Sequence, residues 1–261
     1  MVQDNSVNLA IAQWSAWAPG LADHASWRDW AAGKKAIEGG GDPDVSFVKP
    51  LLRRRLSSLN RMAFHVAWQC LPEGTAPICL FCSRYGEYAR AFEILTCLAT
   101  EEPISPNAFS LSVHNTTSSL FSIMRKDTTH STSIAAGAAT LETGFLEAQS
   151  LLTETPDASA LLVYYDEPLP AFYEGHAAAI QVSAALGLLL RLPQPGAPAE
   201  TTLKLSWQAS GEHASGEKES QEEAAAHPVL RLARLLTEAA SEDTLDDGRL
   251  AWTWSRHVAA A

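Results

Sequence analysis

The chain has 261 residues, of which 46% are hydrophobic and 19% are charged, and its formal net charge is −11. Such a chain buries a full core as one large or two small domains, and the negative charge argues against nucleic acid, which binds clustered cations. The N-terminus has no basic stretch and the longest apolar run, 177–190, is interrupted by Gln181 and Ser183, so we expect a cytoplasmic protein without membrane contact.

Apolar runs bounded by turn residues predict strands, and apolar residues at helical spacing predict helices. The predicted strands are 7–17, 77–82, 159–166, 178–192, 201–207 and 250–258. The predicted helices are 58–70, 88–99, 115–124, 135–152 and 228–239. Trp27 and Trp30 fall in a stretch for which we predict no regular structure. Helices that alternate with buried strands indicate a layered α/β fold.

After Pro170 the alternation of helices and strands stops, because two strands are predicted in succession. The strands predicted at 178–192 and 201–207 are separated by the linker PQPGAPAE, and we expect them to pair with each other in antiparallel fashion. The segment 209–227 is rich in glutamate and small residues, which predicts a solvated, flexible loop. A polar linker is predicted between the last helix and the last strand.

All four cysteines lie between residues 70 and 97, at Cys70, Cys79, Cys82 and Cys97. The spacing of Cys79 and Cys82 is found in redox and metal sites, but the pair lies inside an apolar, strand-like run. Because alternate residues of a strand face opposite sides of a sheet, a chelating pair would need a turn at this point. We therefore predict buried, reduced thiols, and neither a metal site nor a cofactor.

Several segments follow one another as they do in a known family. They are RRRLS (53–57), SRYGE (83–87), SPNAFSLSVHNTTSSLFSI (105–123), HSTSIAAGAATLETGFLEAQSLL (130–152) and SALLVYYDEPLP (159–170). In this order they resemble the N-terminal half of β-ketoacyl synthases, and more narrowly the chain length factors of the aryl polyene type. The resemblance covers roughly residues 7–208 and weakens through the acidic segment.

The resemblance implies a truncated thiolase-like fold, in which helices cover a central mixed sheet. It also implies one ketosynthase-like domain over residues 1–261. Its parts would be a best-matched portion at 1–170, extra strands at 171–208, the acidic loop at 209–227, and a C-terminal helix and strand at 228–261.

In this family the nucleophile is a cysteine at a helix N-terminus, where the helix dipole lowers the thiol pKa. Matching TSIAAG to the family motif places Ile134 at that position, and an ungapped match through Gly144 places Ala136 there. Neither side chain attacks a thioester, and no cysteine follows Cys97. Ser131 and Ser133 remain as alternative oxygen nucleophiles.

The family's two catalytic histidines belong to its C-terminal half, which we expect a chain of this length not to contain in full. Gly175 and His176 look like one of the two histidine motifs, but they lack its later glycine and follow the nucleophile turn too soon. We interpret His176 as structural. His114 matches a position that is not catalytic in the family, so we predict a helix-entry residue, with a pocket or interface role as the alternative.

The resemblance also implies that the helix after Asn115 meets its counterpart across a dimer axis and closes an acyl tunnel. The tunnel or interface residues would be His114, Asn115, Thr116, Thr117, Leu120, Phe121 and Met124. The alternative for Leu120, Phe121 and Met124 is a plain core role, because apolar residues at this spacing usually pack inside.

The resemblance thus predicts a non-catalytic subunit that pairs with an active β-ketoacyl synthase and acts on acyl carrier protein through that complex. A thiolase-like acyltransferase or malonyl decarboxylase that uses His114 or a serine is one alternative. A homodimeric scaffold without a ligand is another. The basic run Arg53 to Arg55 is either a solvated helix start or a contact for an acidic carrier protein.

Overall fold

The computed structural model describes residues 5–38, 41–173, 180–194, 201–210 and 227–258. The strands are β1 (Ser6–Trp17), β2 (Ile78–Cys82), β3 (Ser131–Ile134), β4 (Ala160–Asp166), β5 (Ala184–Arg191), β6 (Thr201–Ala209), β7 (Glu242–Asp246) and β8 (Leu250–Val258). The helices are α1 (His24–Ala31), α2 (Pro50–Arg53), α3 (Ser58–Gln69), α4 (Tyr88–Ala99), α5 (Pro106–Ser110), α6 (Thr116–Arg125), α7 (Thr140–Glu154) and α8 (Pro228–Leu236). Single 3-10 turns occur at Gly137–Ala139 and Ala171–Tyr173.

Within the described residues, one mixed sheet holds eight strands in the order β3-β2-β4-β5-β1-β6-β8-β7. Strand β2 pairs in parallel with β3 and β4, and the other pairs are antiparallel. Strands β3 and β7 therefore form the two edges. This mixed sheet with helices confirms the predicted layered α/β class.

Side chains that alternate along the central strands supply two separate cores. In β2, Leu80 and Cys82 belong to a core that includes residues of α7 and α8, whereas Cys79 and Phe81 belong to a core that includes residues of α3 and α6. The sheet is thus a middle layer that is covered on both faces. This explains why its central strands read as continuous apolar runs.

Strands β5 and β6 do not pair with each other, so that prediction is wrong. Strand β1 lies between them, with Leu9 opposite Leu203 on β6 and Trp14 opposite Leu188 on β5. Neighbouring strands in sequence often pair, but β1 has 12 residues and satisfies both partners along its length. No local pattern reveals such a long-range insertion.

The apolar patterns of the sequence did not predict α1, α2, α5, β3 or β7. Trp27 lies in α1, which begins with a capping box in which Asp23 accepts from the Ser26 amide at 2.7 Å. The segment of β7 was predicted as a linker because its sequence is polar. It forms a strand because it pairs with β8 at the edge of the sheet. Helix α7 starts at Thr140, five residues later than predicted. Of the predicted acidic loop, residues 211–226 lie outside the described residues.

Candidate functional site

The parallel strands β2, β3 and β4 have their C-terminal ends on the same side of the sheet, so the residues that follow these strands lie close together. Ser83 follows β2, the turn at Ala135 and Ala136 follows β3, and Asp166 ends β4. The position at which the sequence predicts the degenerate nucleophile lies at these C-terminal strand ends. The contacts of these loops define the site.

The predicted nucleophile turn leads from β3 into α7. Ile134 is the last residue of β3 and is half-buried, while Ala135, Ala136 and Gly137 are exposed. The Ala136 N–H donates to the Thr140 hydroxyl at 2.9 Å, and that hydroxyl donates to the Gly137 carbonyl at 2.8 Å. The Ala136 amide therefore already has a partner and does not point freely toward a ligand.

The two serines considered as oxygen nucleophiles lie on β3. The Ser133 and Ser118 hydroxyls share a hydrogen bond at 3.0 Å, which links β3 to α6. Ser131 is exposed at the free edge of the sheet. Among the described residues, the hydrogen bonds of these hydroxyls include no histidine, so no activating base is in place for either.

The thiols are all free, and Cys70, Cys79 and Cys82 are buried. Burial raises the pKa of Cys79 to about 11 and raises the pKa values of Cys70 and Cys82 further above the usual range. Because the thiolate is the nucleophile and the metal ligand, these protonated thiols are inert at neutral pH. Cys79 and Cys82 face opposite cores, as the strand pattern predicts.

His114 lies at the entry to α6 and is half-buried. Its Nε2 lies 2.9 Å from the Ser83 carbonyl oxygen, which only accepts, so this nitrogen carries the proton. The ring packs on Gly86, where an added Cβ would lie 2.8 Å from His114 Cδ2. His114 therefore joins α6 to the loop after β2, as a helix-entry residue does.

Asp166 holds the loop after β2 in place. Its carboxylate accepts from the Ser83 hydroxyl at 2.7 Å, the Tyr164 hydroxyl at 2.6 Å and the Arg84 amide at 3.0 Å. Burial raises the pKa of Asp166, while these donors act in the opposite direction. The sequence marks Asp166 only as the polar end of a strand, and no local signal reveals its partners.

A second buried network joins the same loop to α3 and α6. The Asn60 amide donates to Glu87 at 2.7 Å and to the Thr117 hydroxyl at 2.9 Å. Arg90 donates to Glu87 at 2.6 Å and to the Arg55 carbonyl at 2.9 Å. Thr117 is thus fixed by a structural network that sequence reasoning missed.

The other predicted tunnel residues lie along α6. Asn115 is exposed, Thr116 is buried with no hydrogen-bond partner for its hydroxyl, and Leu120 and Phe121 pack in the core. Met124 packs against the same core from its rim. The cavity beside Phe121 has a volume of about 10 Å³, which is room for about one water molecule. A tunnel over these residues stays a prediction about the assembled complex.

His227 caps the N-terminus of α8 and is buried against β4. Its Nδ1 accepts from the Val229 amide at 3.2 Å, and its Nε2 lies 3.4 Å from the Asp166 carbonyl. This geometry suits the neutral ring, because Nδ1 must keep its lone pair. Burial lowers the pKa of His227 from 6.5 to about 4.

His227 makes stability depend on pH. The unfolded chain binds this proton below about pH 6.5 and the folded chain only below about 4, so stability is lost as the pH falls between these values. We expect the stability advantage of the wild type over His227→Asn to shrink by about 2 kcal/mol between pH 7 and pH 5. Asparagine can still cap the helix. Urea unfolding of both proteins at the two pH values measures this, and an unchanged difference would contradict it.

Other predicted features of the site have separate outcomes. Gly175 and His176 lie outside the described residues. In the parts of the chain that the structure describes, no group of three or more His, Cys, Asp or Glu side chains could hold a metal ion. Among the same residues, none of the helices combines the length and the apolar character that a membrane span needs.

Comparison with known proteins shows which family the chain matches. Residues 27–255 match the family model described as β-ketoacyl synthase, N-terminal domain. No curated protein gives a significant match. The structure is similar to a chain of the ketosynthase ApeO in complex with its chain length factor ApeC from Xenorhabdus doucetiae, with 25% identity, a TM-score of 0.78, and coverage of 95% of this chain and 99% of that one.

Two further solved structures share the fold. A chain of the ishigamide ketosynthase/chain length factor is 12% identical with a TM-score of 0.75, and the match covers 97% of this chain and 100% of that one. A chain of AntDE:AntF, a type II polyketide synthase acyl-carrier protein in complex with its ketosynthase, is 10% identical with a TM-score of 0.62. That match covers 97% of this chain and 99% of the other.

Proposed function

Because the chain belongs to the β-ketoacyl synthase N-terminal-domain family, we propose that it is a non-catalytic, chain-length-factor-like subunit of a type II polyketide or fatty-acid-like synthase. It pairs with an active β-ketoacyl synthase in the cytoplasm, and acyl carrier protein reaches it through that complex. Its role is steric: it completes the partner's interface and limits the length of the acyl chain. An aryl polyene is the product class that the resemblance favours.

The nucleophile turn carries this proposal. Ile134 and Ala136, the two matched positions, have aliphatic side chains, and the Ala136 amide that could hold an oxyanion is bonded to Thr140 instead. Ser133 is bonded to Ser118, and the buried thiols are protonated. This arrangement favours a silent site over the acyltransferase alternative.

The unpaired side of the edge strand β3 favours the presence of a partner chain. In the described part of the sheet, β3 pairs on one side only, with β2. Of the nine large apolar side chains that are exposed among the described residues, four lie in α4, in α5 and in the turn before α6. They are Leu95, Leu98, Phe109 and Val113. An unpaired edge strand and a group of exposed apolar side chains are each typical of surfaces that another subunit covers.

We expect the chain to co-elute with the active ketosynthase after co-expression. The double substitution Leu98→Asp and Phe109→Asp should raise the dissociation constant of this pair at least about tenfold. These side chains are 59% and 65% exposed, so the variant keeps its fold. Buried charges at an interface are costly, because they lose hydration without a partner. Size-exclusion chromatography over a dilution series measures the loss.

Val258→Asp is the matched control, because Val258 is an exposed apolar residue at the far end of β8. It should co-elute like the wild type. The proposal is wrong if the unchanged chain never co-elutes and the ketosynthase makes the same products alone. Equal behaviour of the double variant and the control would move the interface away from α4 and α5.

We expect the purified chain to take up no acyl group from malonyl or acetyl carrier protein. No side chain at the turn is both nucleophilic and activated, so intact-mass spectrometry should show the mass of the unmodified chain, while an active ketosynthase run in parallel gains the acyl mass. A stable acyl adduct on Ser131 or Ser133 would favour the acyltransferase instead.

A further inference from the structure

A carboxyl group is buried in the core between α7 and β8. Glu142, in the first turn of α7, is only 1% exposed. Its Oε1 accepts from the Trp254 indole N–H at 3.0 Å, whereas its Oε2 has no hydrogen-bond partner among the described residues. Buried polar atoms are normally satisfied, because an unpaired one loses hydration without compensation. Apolar packing alone therefore does not account for a glutamate at this position.

An ion pair lies beside this carboxyl group. Arg231 of α8 donates through Nε to Asp243 Oδ1 at 3.3 Å and through Nη2 to Asp243 Oδ2. Asp243 lies on β7 directly opposite Trp254 on β8, so the two side chains share one face of the sheet. The Arg231 and Asp243 side chains are 9% and 22% exposed. This largely buried pair ties the edge strand β7 to α8.

The charges of this ion pair act on Glu142. Burial raises the pKa of Glu142 above its ordinary value of 4.5, and the positive charge of Arg231 and the Trp254 hydrogen bond act in the opposite direction. The negative charge of Asp243 raises the pKa as well, but by less than Arg231 lowers it. Arg231 thus faces two carboxyl groups, of which it binds only Asp243.

Other titratable groups around this cluster are engaged elsewhere or neutral. They are Tyr164 and Asp166 on β4, Cys82 on β2, His227 at the start of α8 and Arg256 on β8. Tyr164 donates to Asp166, and Arg256 donates to Glu238 at 2.9 Å. Burial raises the pKa of Cys82 beyond the usual range and lowers that of His227 to about 4, so both are neutral at pH 7. Within the described residues, Arg231 is therefore the cation that is placed to serve Glu142.

We propose that Glu142 and Asp243 compete for Arg231, and that this competition closes and opens the edge strand β7 as the pH changes. With Glu142 protonated, Arg231 holds Asp243 and β7 stays closed. Once Glu142 loses its proton, the buried carboxylate needs a positive charge and a donor for Oε2, and Arg231 supplies both by turning inward. Asp243 then loses its partner, and β7 frays. This switch does not depend on the proposed function.

The direction of the switch follows from the raised pKa of Glu142. Above pH 4.5 the unfolded chain has lost this proton, while the folded chain keeps it up to its own higher pKa. The closed arrangement is therefore present at low pH and is lost as the pH rises through the folded pKa. His227 acts in the opposite sense, because its pKa is lowered, and it affects stability only below about pH 6.5.

Hydrogen exchange of the full chain, followed from about pH 5 to about pH 9 and corrected for the intrinsic exchange rates, tests the switch. We expect the protection of the β7 amides, relative to those of β6, to fall at least about tenfold as the pH rises. The Glu142 carboxyl ¹³C resonance, assigned with Glu142→Gln, should titrate with the same midpoint. Glu142→Gln keeps the size of the side chain but cannot ionise, so its β7 protection should stay at the low-pH level throughout.

Two substitutions on β7 complete the test. Asp243→Asn removes the ion pair and should lower β7 protection at every pH. Glu242→Gln is the matched control, because Glu242 is an exposed carboxylate on the same strand, and it should respond as the wild type does. A flat wild-type profile, the same loss in Glu142→Gln, or a midpoint that differs from that of the ¹³C titration would each overturn the switch. So would a control without a pH response, since repulsion along the acidic strand would then explain the fraying. If Glu142→Gln does not fold, agreement of the two wild-type midpoints decides.

Discussion

Replacing Asp166 with alanine is expected to lower the free energy of unfolding by about 3 kcal/mol and to loosen the loop after β2. The substitution removes the acceptor of four donors: the buried hydroxyls of Ser83 and Tyr164 and the part-buried amides of Arg84 and Tyr85. An unsatisfied buried donor costs about 1–3 kcal/mol, and relief of the burial of the carboxylate offsets part of the sum.

Two variants calibrate this result. Asp166→Asn keeps one acceptor oxygen at nearly the same size, so it should lose about half as much. Asp157→Ala removes an exposed carboxylate and should change the stability by less than about 0.5 kcal/mol. Urea unfolding at pH 7 gives the free energies, and hydrogen exchange of the Arg84 amide reports on the loop. Equal stability of the alanine variants at 166 and 157 would show that Asp166 does not hold the loop.

Gly144→Ala is expected to destabilise the chain by about 2 kcal/mol, although alanine favours a helix over glycine by about 1 kcal/mol. Helix α7 passes so close to β2 that an added Cβ would lie 2.5 Å from Cys82 Sγ. Cys82 is fully buried and has little room to move. Thermal or urea unfolding measures the loss.

A double-mutant cycle isolates this contact. In the background of Cys82→Ala, the nearest atom of residue 82 to the new methyl group is its Cβ at 3.7 Å, an ordinary contact distance. Gly144→Ala should then cost at least about 1 kcal/mol less than it does in the wild type. Additive effects of the two substitutions would mean that the helix shifts away from the strand and that the close approach is not rigid.

Elements whose signal is local were predictable. Helix α4 occupies the predicted range 88–99, and the apolar run 77–82 forms β2. The residues at the nucleophile position are also a sequence property, since either alignment gives an aliphatic side chain. The family resemblance and the mixed α/β fold followed from the order of short motifs, and the match to residues 27–255 confirms that family.

Long-range pairing was not predictable, because no residue pattern encodes it. Three contacts join residues that are far apart in the chain. Strand β1 pairs with both β5 and β6, the Trp254 indole N–H donates to Glu142 at 3.0 Å, and the Asn60 amide donates to Glu87. Each of these buried polar bonds depends on burial that exists only after the layers pack.

The sequence by itself determined that Ile134 or Ala136 stands at the position matched to the family's nucleophile, because the residue at one position can be read without knowing the fold. Only the tertiary structure decided that the Ala136 amide is bonded to Thr140, that β3 pairs on one side only within the described residues, and that Phe47, Trp68 and Ile123 from three separate segments line one groove. Packing in three dimensions sets which donors are satisfied and which surfaces stay uncovered, and neither property can be read from the residue pattern alone.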